Sequence, residues 1–348
     1  MRVTIRRRPA PLLVVFAMGV AGACGQPASP AAPSHTFKVG ANPAGIAVDD
    51  RSAWVANAAD GTLTQIDVAS NRVVRIVGIG DPRQLLDAGC GARSIHQVPH
   101  GSFVIRACDV PRAVAVSPGA VWVARGDTRS IVRLDSRTGQ VVATIPADVQ
   151  AWYIAANESA VWASDYDADT SDYDADTVVR IDPSTNRVVV RVTHLGHGPS
   201  GLALGFGSVW VASSRAQLVT RIDATSNSVA ATIPVGLTPL PVLVAFGSVW
   251  VRNEEREGNG SLSRIDPSSN RVVASVPVGP EAGRDGLDGL AALGNRLYVP
   301  GLNLEAVDPV SNRVVSRQPH TCNAVSPGGG SLWTVDLGYS VTRLSRPG

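Results

Sequence analysis

Lysine is almost absent from this chain of 348 residues: Lys38 is the only one, and arginine supplies the other basic positions. Charged residues reach only 17% against 44% hydrophobic, which excludes global disorder and leaves enough apolar side chain for a sizeable core. No Gly-rich phosphate loop, Gly-x-Ser-x-Gly elbow or zinc-protease helix is present, so the enzyme classes built on them are excluded. The longest apolar stretch, Pro11 to Val20, is too short for a comfortable membrane span. What is plentiful is Gly (34) and Pro (24), spread along the chain as many short strands joined by tight turns require.

The N-terminus carries an address. Residues 1–23 run from Arg6-Arg7-Arg8 through the apolar stretch to Ala21-Gly22-Ala23, the pattern of a secretory signal peptide. Ala21-Gly22-Ala23-Cys24 resembles a bacterial lipobox, which implies that Cys24 is acylated and becomes the new N-terminus. Residues 24–34, rich in Pro and Ala, are expected to be a tether rather than a folded piece. Four of the 31 basic residues (Arg2, Arg6, Arg7 and Arg8) lie in the signal. The remaining 27 face 29 acidic residues, a net charge near −2. No basic footprint for nucleic acid survives.

Self-similarity decides the fold. The segment from Gly198 to Ser213, with Trp210 near its end, is followed by Thr220-Arg-Ile-Asp223, Ser226-Asn-Ser-Val229 and Ala231-Thr-Ile-Pro-Val-Gly236. The same order recurs around Trp54, Trp122, Trp162, Trp210, Trp250, Tyr298 and Trp333, at intervals of 68, 40, 48, 40, 48 and 35 residues. Each unit holds four short apolar runs, which read as a four-stranded antiparallel sheet. Such a sheet buries both faces only by packing against copies of itself around an axis, with the anchor aromatic as core. The last repeat supplies only three strands, and His35-Thr-Phe-Lys-Val-Gly40 matches the missing fourth. The expectation is an all-β, seven-bladed β-propeller over residues 35–348, closed by the N-terminal strand and monomeric.

Antiparallel strands send successive connections to alternate ends of the propeller. The long excursions, Gly80 to Ala107, Asp165 to Asp176, Asn253 to Gly260 and Pro280 to Asp288, all fall on one rim, where binding is expected. Three residues past each anchor stand Asn57, Arg125, Asp165, Ser213, Asn253, Gly301 and Asp336, six of them polar after apolar strands. They mark ligand positions or simply begin solvated loops. The starts of the innermost strands are mixed: Ala44, Arg112, Trp152, Ser200, Leu240, Asp288 and Thr321. From these two sets Asn57, Arg112, Arg125, Trp152, Asp165, Ser213, Asn253, Asp288 and Asp336 are the ligand-binding candidates. Arg112, Arg125 and Trp152 come from adjacent blades and form a candidate patch for an acidic or aromatic ligand.

Asp165, Asp167, Asp169 and Asp176 have the spacing of calcium-loop ligands, but Thr170 stands where the sharp turn wants glycine and the last ligand is not glutamate. A duplicated, solvated hairpin tip is the favoured reading. The histidines near the rim (His96, His100, His194, His197 and His320) show no convergent set, and no metal, cofactor or catalytic residue is assigned. In an oxidising compartment Cys90 and Cys108, which bracket the first excursion, are the favoured disulfide, leaving Cys322 over.

Ala53-Trp-Val-Ala-Asn57, Asp60-Gly-Thr-Leu-Thr-Gln-Ile-Asp67 and Asn71-Arg-Val-Val74 resemble the YVTN-type β-propeller repeat family over nearly all of residues 35–348. Gly198-Pro199 and Trp210 are also similar to the frame of streptogramin (virginiamycin B) lyases. Where those repeats place glutamate this chain has Asn57, Arg125, Asp165, Ser213 and Asn253, and it lacks a Glu-x-His pair. The resemblance implies the fold and carries little about activity. The resulting expectation is a non-enzymatic binding propeller, exported and lipid-anchored on the outer face of the bacterial cell membrane. Its rim would meet a peptide, glycan or protein. The alternative is a lyase or hydrolase using rim Asp, Arg and His residues.

Overall fold

The computed structural model describes residues 34–79, 92–98, 101–106, 111–126, 128–166, 176–255, 259–282, 289–336 and 339–345, with backbone alone for 92–98 and 101–106. Seven four-stranded antiparallel sheets form a seven-bladed β-propeller, without helices among these residues. Strands are lettered a to d from the axis outward. Blade 1 contains Pro43–Val48, Ser52–Asn57, Thr62–Asp67 and Arg72–Gly78; blade 4 contains Pro199–Gly205, Ser208–Ser213, Leu218–Asp223 and Val229–Pro234. Blades 2, 3, 5 and 6 cover 111–146, 151–192, 239–278 and 291–318 in the same order. Blade 7 joins Cys322–Gly328, Ser331–Asp336 and Ser340–Leu344 to Ser34–Lys38. The closing strand therefore starts one residue earlier than expected and ends at Lys38; Val39 extends its pairing through an N–H bond to the Tyr339 carbonyl (2.9 Å). The first excursion, expected as loop throughout, contains a hairpin of Ala92–Val98 and Gly101–Arg106.

The strand pattern follows from two-sided burial. Strand b is buried along its whole length in blades 1 and 4, because its alternate residues face the blades on either side. Trp210 and Ala212 face blade 5, meeting Val249, Val251 and Ile265, while Val209 and Val211 face Trp162 and Val178 of blade 3. One apolar cluster of this kind fills each of the seven seams. Strand d is the outer edge, and in blades 3 and 6 its residues alternate between half-buried and exposed.

A polar clasp accompanies the apolar seam. In strand c of blade 4, Arg221 stacks over Trp210 with its guanidinium carbon 4.9 Å from the ring centroid. It then reaches into blade 5 and donates to the Pro267 carbonyl (2.7 Å) and Asn270 Oδ1 (2.9 Å). Arg133, Arg180, Arg264 and Arg343 do the same from blades 2, 3, 5 and 7, with Asn186, Asn227, Asn312 and Asn71 as acceptors. Each accepting asparagine has φ near +54 to +57, a conformation asparagine tolerates better than most residues. The aspartate four residues earlier fixes the same turn. The backbone N–H of Ser226, then its hydroxyl, hold the Asp223 carboxyl below the ordinary carboxylate range.

The repeats differ in one atom of this clasp. Arg221, Arg264 and Arg343 each donate Nε–H to the hydroxyl of Ser208, Ser248 or Ser331 (2.9 Å in each case). Blades 2 and 3 have Ala120 and Ala160 at that position, and the buried Nε of Arg133 and Arg180 has no partner among the described residues. Ala120→Ser and Ala160→Ser should therefore each stabilise the fold by about 0.5–1.5 kcal/mol, the net worth of one restored hydrogen bond. Urea unfolding checks this: the midpoint should rise at an unchanged slope, and the equivalent Ser208→Ala should lower it.

Candidate functional site

Strand register brings the two sets of candidate positions to one end of the ring. Pro43 pairs with Asn57, Pro111 with Arg125, Ala151 with Asp165, Pro199 with Ser213, Pro239 with Asn253 and Cys322 with Asp336. The strands flanking all four long excursions also end here, so this end is the loop rim and the opposite one the turn face. Cys24, Cys90, Cys108, Asp167, Asp169 and Asp288 lie outside the described residues.

Several candidates are turned into the blades. Asn57 and Asn253 are fully buried. Asn57 Nδ2 donates to the hydroxyls of Thr62 (3.0 Å) and Thr64 (2.8 Å), and Asn253 Nδ2 to those of Ser261 and Ser263 (both 3.0 Å). Gly40 and Gly236 lie directly on these amides; a Cβ at either would come 2.7 Å from the asparagine Cγ. Ser213, also buried, donates to the Leu195 carbonyl (2.8 Å), which Thr220 shares (3.1 Å). The polar type that made these residues candidates thus ties strand b to strand c or to the incoming loop.

Asp336 has the same position but keeps an opening to solvent. Its Oδ2 accepts from the hydroxyls of Thr342 (2.6 Å) and Ser340 (3.1 Å), and its Oδ1 from Thr334 (2.8 Å). His320 Nε2 lies 3.1 Å from the same Oδ1. Burial pushes the Asp336 carboxyl up, but the bonds from His320, Thr342 and Thr334 outweigh it and leave the group below its ordinary range. Thr36 of the closing strand meets Thr342 at 3.0 Å, so this network reaches the closure.

Blades 2 and 3 carry the remaining candidates, and here the structure brings them together. Arg112 is buried with its guanidinium carbon 4.3 Å from the centroid of Trp152. Tyr166 meets Trp152 edge-on at 5.4 Å and Tyr153 at 6.0 Å. Asp165 Oδ1 accepts the Gln150 N–H (2.7 Å), and the Tyr166 N–H bonds the Gln150 carbonyl (3.1 Å), fixing the bend that presents Trp152. The Trp152 Nε1 donor is buried and has no hydrogen-bond partner among the described residues. Gly126 leaves space beside it, since a Cβ there would stand 3.6 Å away. Arg125, half-buried, ends the strand leading to that glycine. A guanidinium, an indole and two phenols in this arrangement suit an anionic or planar ligand group.

Two charged groups at the seam of blades 5 and 6 were missed in the sequence. Arg252 is fully buried, 3.2 Å from Glu281 Oε1, and donates to the carbonyls of Pro300 and Gly279. Its signal was visible, because the equivalent positions hold Ala56, Ala124, Ser164, Ala212 and Val335. Two surface concavities, of about 660 and 360 Å³, open on the turn face at the clasps of Arg264 and Arg180, away from the rim cluster. They are shallow clefts between blades; the side-chain chemistry is concentrated at the rim. Among the described residues no three His, Cys, Asp or Glu side chains could hold a metal ion.

No family model matches the chain, and no curated protein matches it by sequence. Solved structures do. U3-55K is similar with a TM-score of 0.65 and 13% identity, over 89% of this chain and 98% of that one. Hydrazine synthase of Kuenenia stuttgartiensis is similar with a TM-score of 0.61 and 13% identity, over 85% of this chain and 92% of the other. At this identity the likeness defines the fold alone.

Two outcomes test the site chemistry. Asn253→Ala takes the amide donor from the hydroxyls of Ser261, which keeps Glu255 Oε1 (2.8 Å), and Ser263 inside blade 5, and should cost about 1–3 kcal/mol in urea unfolding. Asp336 sits below its ordinary value in the folded state, so its contribution is present at neutral pH. It is lost as pH falls below the ordinary aspartate value of about 4 towards the folded one. Unfolding midpoints from pH 7 to pH 3 should therefore drop less in Asp336→Asn than in the wild type.

Proposed function

We propose that this propeller is a non-enzymatic binding protein, exported and lipid-anchored at Cys24, which holds a peptide, glycan or protein ligand at the loop rim. The observation carrying this reading is the Arg112–Trp152–Tyr166 stack beside the unpartnered indole N–H. The corresponding strand-a positions in blades 1, 4 and 5 hold Ala44, Ser200 and Leu240, all buried, so the scaffold alone does not require an arginine–aromatic pair. An acidic or planar group entering from the rim would accept from Trp152 and lie along the aromatic edges.

The second reading, a lyase or hydrolase, draws on the His320–Asp336 pair, a histidine held by a carboxylate at the rim. Against it, Asp336 is occupied by three hydroxyls in the manner of Asn57 and Asn253, which makes it a blade tie first.

The lipidated chain should be isolated from membranes and its bound species identified by mass spectrometry. We expect a species present with wild type and His320→Ala and lost with Arg112→Ala/Arg125→Ala at an unchanged urea unfolding midpoint. Retention by the double variant would overturn the rim reading. Turnover of the species by wild type but not by His320→Ala would favour the enzyme.

A further inference from the structure

The turn face differs from blade to blade in a way that the fold does not demand. In blades 4 and 5 the a–b connections are Phe206-Gly207 and Phe246-Gly247, with φ of 54 and 67 and of 50 and 69. Two consecutive positive φ values define the tight hairpin turn that favours Asn-Gly, and a bulky side chain at the first position is an outlier. Both phenylalanines nevertheless keep a large part of their surface in solvent: Phe206 is 46% and Phe246 37% exposed. Blade 6 adds Val310, 88% exposed, at the c–d turn position where other blades have Ala69, Arg137, Ser184, Thr225 and Ser268. Blades 1, 2 and 3 end on Asp50, Pro118 and Glu158 in the matching a–b turns. The apolar tips therefore occupy one sector of one face, and strained backbone without internal return points to a contact outside the chain.

That face is also where the closing strand begins. Ser34 pairs with Leu344, and Leu344 with Leu332, at the turn end of blade 7, whereas Lys38 pairs with Ser340 at the loop rim. Nine residues separate Cys24 from Ser34, a reach of at most about 35 Å when fully extended. The described chain therefore begins at the turn face, so a lipid anchor at Cys24 would join the propeller from that side. Blade 7 lies three blades round the ring from blade 4, so the start of the closing strand and the Phe206 tip stand on opposite sides of the axis.

We propose that the turn face rests on the lipid surface, with Phe206, Phe246 and Val310 entering the headgroup region and the loop rim directed away from the membrane. The proposal rests on the anchoring reading above. Tether and apolar tips act as two attachments across one face, and two weak attachments hold where one does not.

The lipidated full chain reconstituted in phosphatidylcholine–phosphatidylglycerol vesicles, with and without brominated acyl chains, tests this directly. The native tryptophans are buried, so Phe206→Trp adds an exposed reporter on the turn face and Tyr339→Trp one at the loop rim. Brominated lipid should remove the emission added by Phe206→Trp and leave that added by Tyr339→Trp. Phe206→Asn/Phe246→Asn should raise the melting temperature by relieving the turns, yet make the protein easier to cleave from its vesicles at the tether with protease. Quenching at Tyr339→Trp alone, or at neither site in protein that floats with the vesicles, overturns the orientation. So does a soluble protein whose capture is lost in the Asn variant while neither reporter is quenched. Protein that does not float with vesicles removes the anchor itself, an outcome separate from a wrong face.

Discussion

An arginine on the third strand of one blade, stacked on its own tryptophan and bonded to the next blade's turn, is the contact on which the ring's geometry depends. The apolar seams supply most of the burial, but burial is non-directional and tolerates sliding of one sheet over another. The guanidinium removes that freedom. Its stacking fixes its plane, and its two donors find a carbonyl and an asparagine amide only when neighbouring blades are in one relative position. The asparagine in turn needs its positive φ, which the aspartate turn preceding it provides. Sequence, turn and seam are thus coupled within each repeat, and the coupling crosses to the neighbour.

The two seams without this arginine show what the constraint responds to. Blade 6 has Ala306 at the clasp position. Its acceptor would be the c–d turn of blade 7, which does not exist, because the fourth strand of that blade comes from the N-terminus. The seam is instead apolar, with Tyr298 in place of tryptophan and Cys322, Leu332 and Leu344 across from it. Burial pushes the Tyr298 hydroxyl above its ordinary value and keeps it neutral there. Blade 1 has Gln65, whose amide reaches only Ser52 (2.9 Å). The register partner of Gln65 on strand d is Arg75, which lies against Gly139 of blade 2, where the other turns have asparagine. Gly139 has φ of 67, and any side chain there would collide with Arg75. The crossing has moved one strand outward, with a matching change on both sides.

The architecture was legible because a repeat exposes its own constraints. The anchor tryptophan, the Ile-Asp step and the His35–Gly40 strand each have several copies to be read against, and blade count and closure follow from them. The candidate site was legible only in part. Position three past the anchor reads as polar in six of seven repeats, but polarity does not say whether a side chain faces solvent or its own sheet. For Asn57, Ser213 and Asn253 the deciding partners are hydroxyls or carbonyls on other segments, at Thr62, Thr64, Leu195, Ser261 and Ser263. The asparagine pairings follow from the register of strands b and c, which places Asn57 beside Thr62 and Asn253 beside Ser261 and is not readable from residue type alone. Arg112 and Trp152 were found because they stand out from their repeat equivalents. Arg252 departs equally from its repeat equivalents, but it lies inside strand b, one residue before the rim position.

Seven copies of one unit act as controls for each other. A residue shared by most copies, such as the clasp arginine, is explained by the fold that the copies have in common. A residue confined to one or two copies, costly to the fold and without a partner inside it, needs an explanation from outside. Ala306 and Gly139 are singular but matched by a change across the seam, so the fold absorbs them. Phe206 and Phe246 hold positive φ and expose apolar rings, and Trp152 buries an indole N–H without an acceptor among the described residues. These departures separate by face, the phenylalanines at the turns and the tryptophan at the loops. The two ends of a propeller are joined by rigid strands, so a contact at one end leaves the other geometrically undisturbed. The same scaffold can therefore serve a surface and a ligand at once.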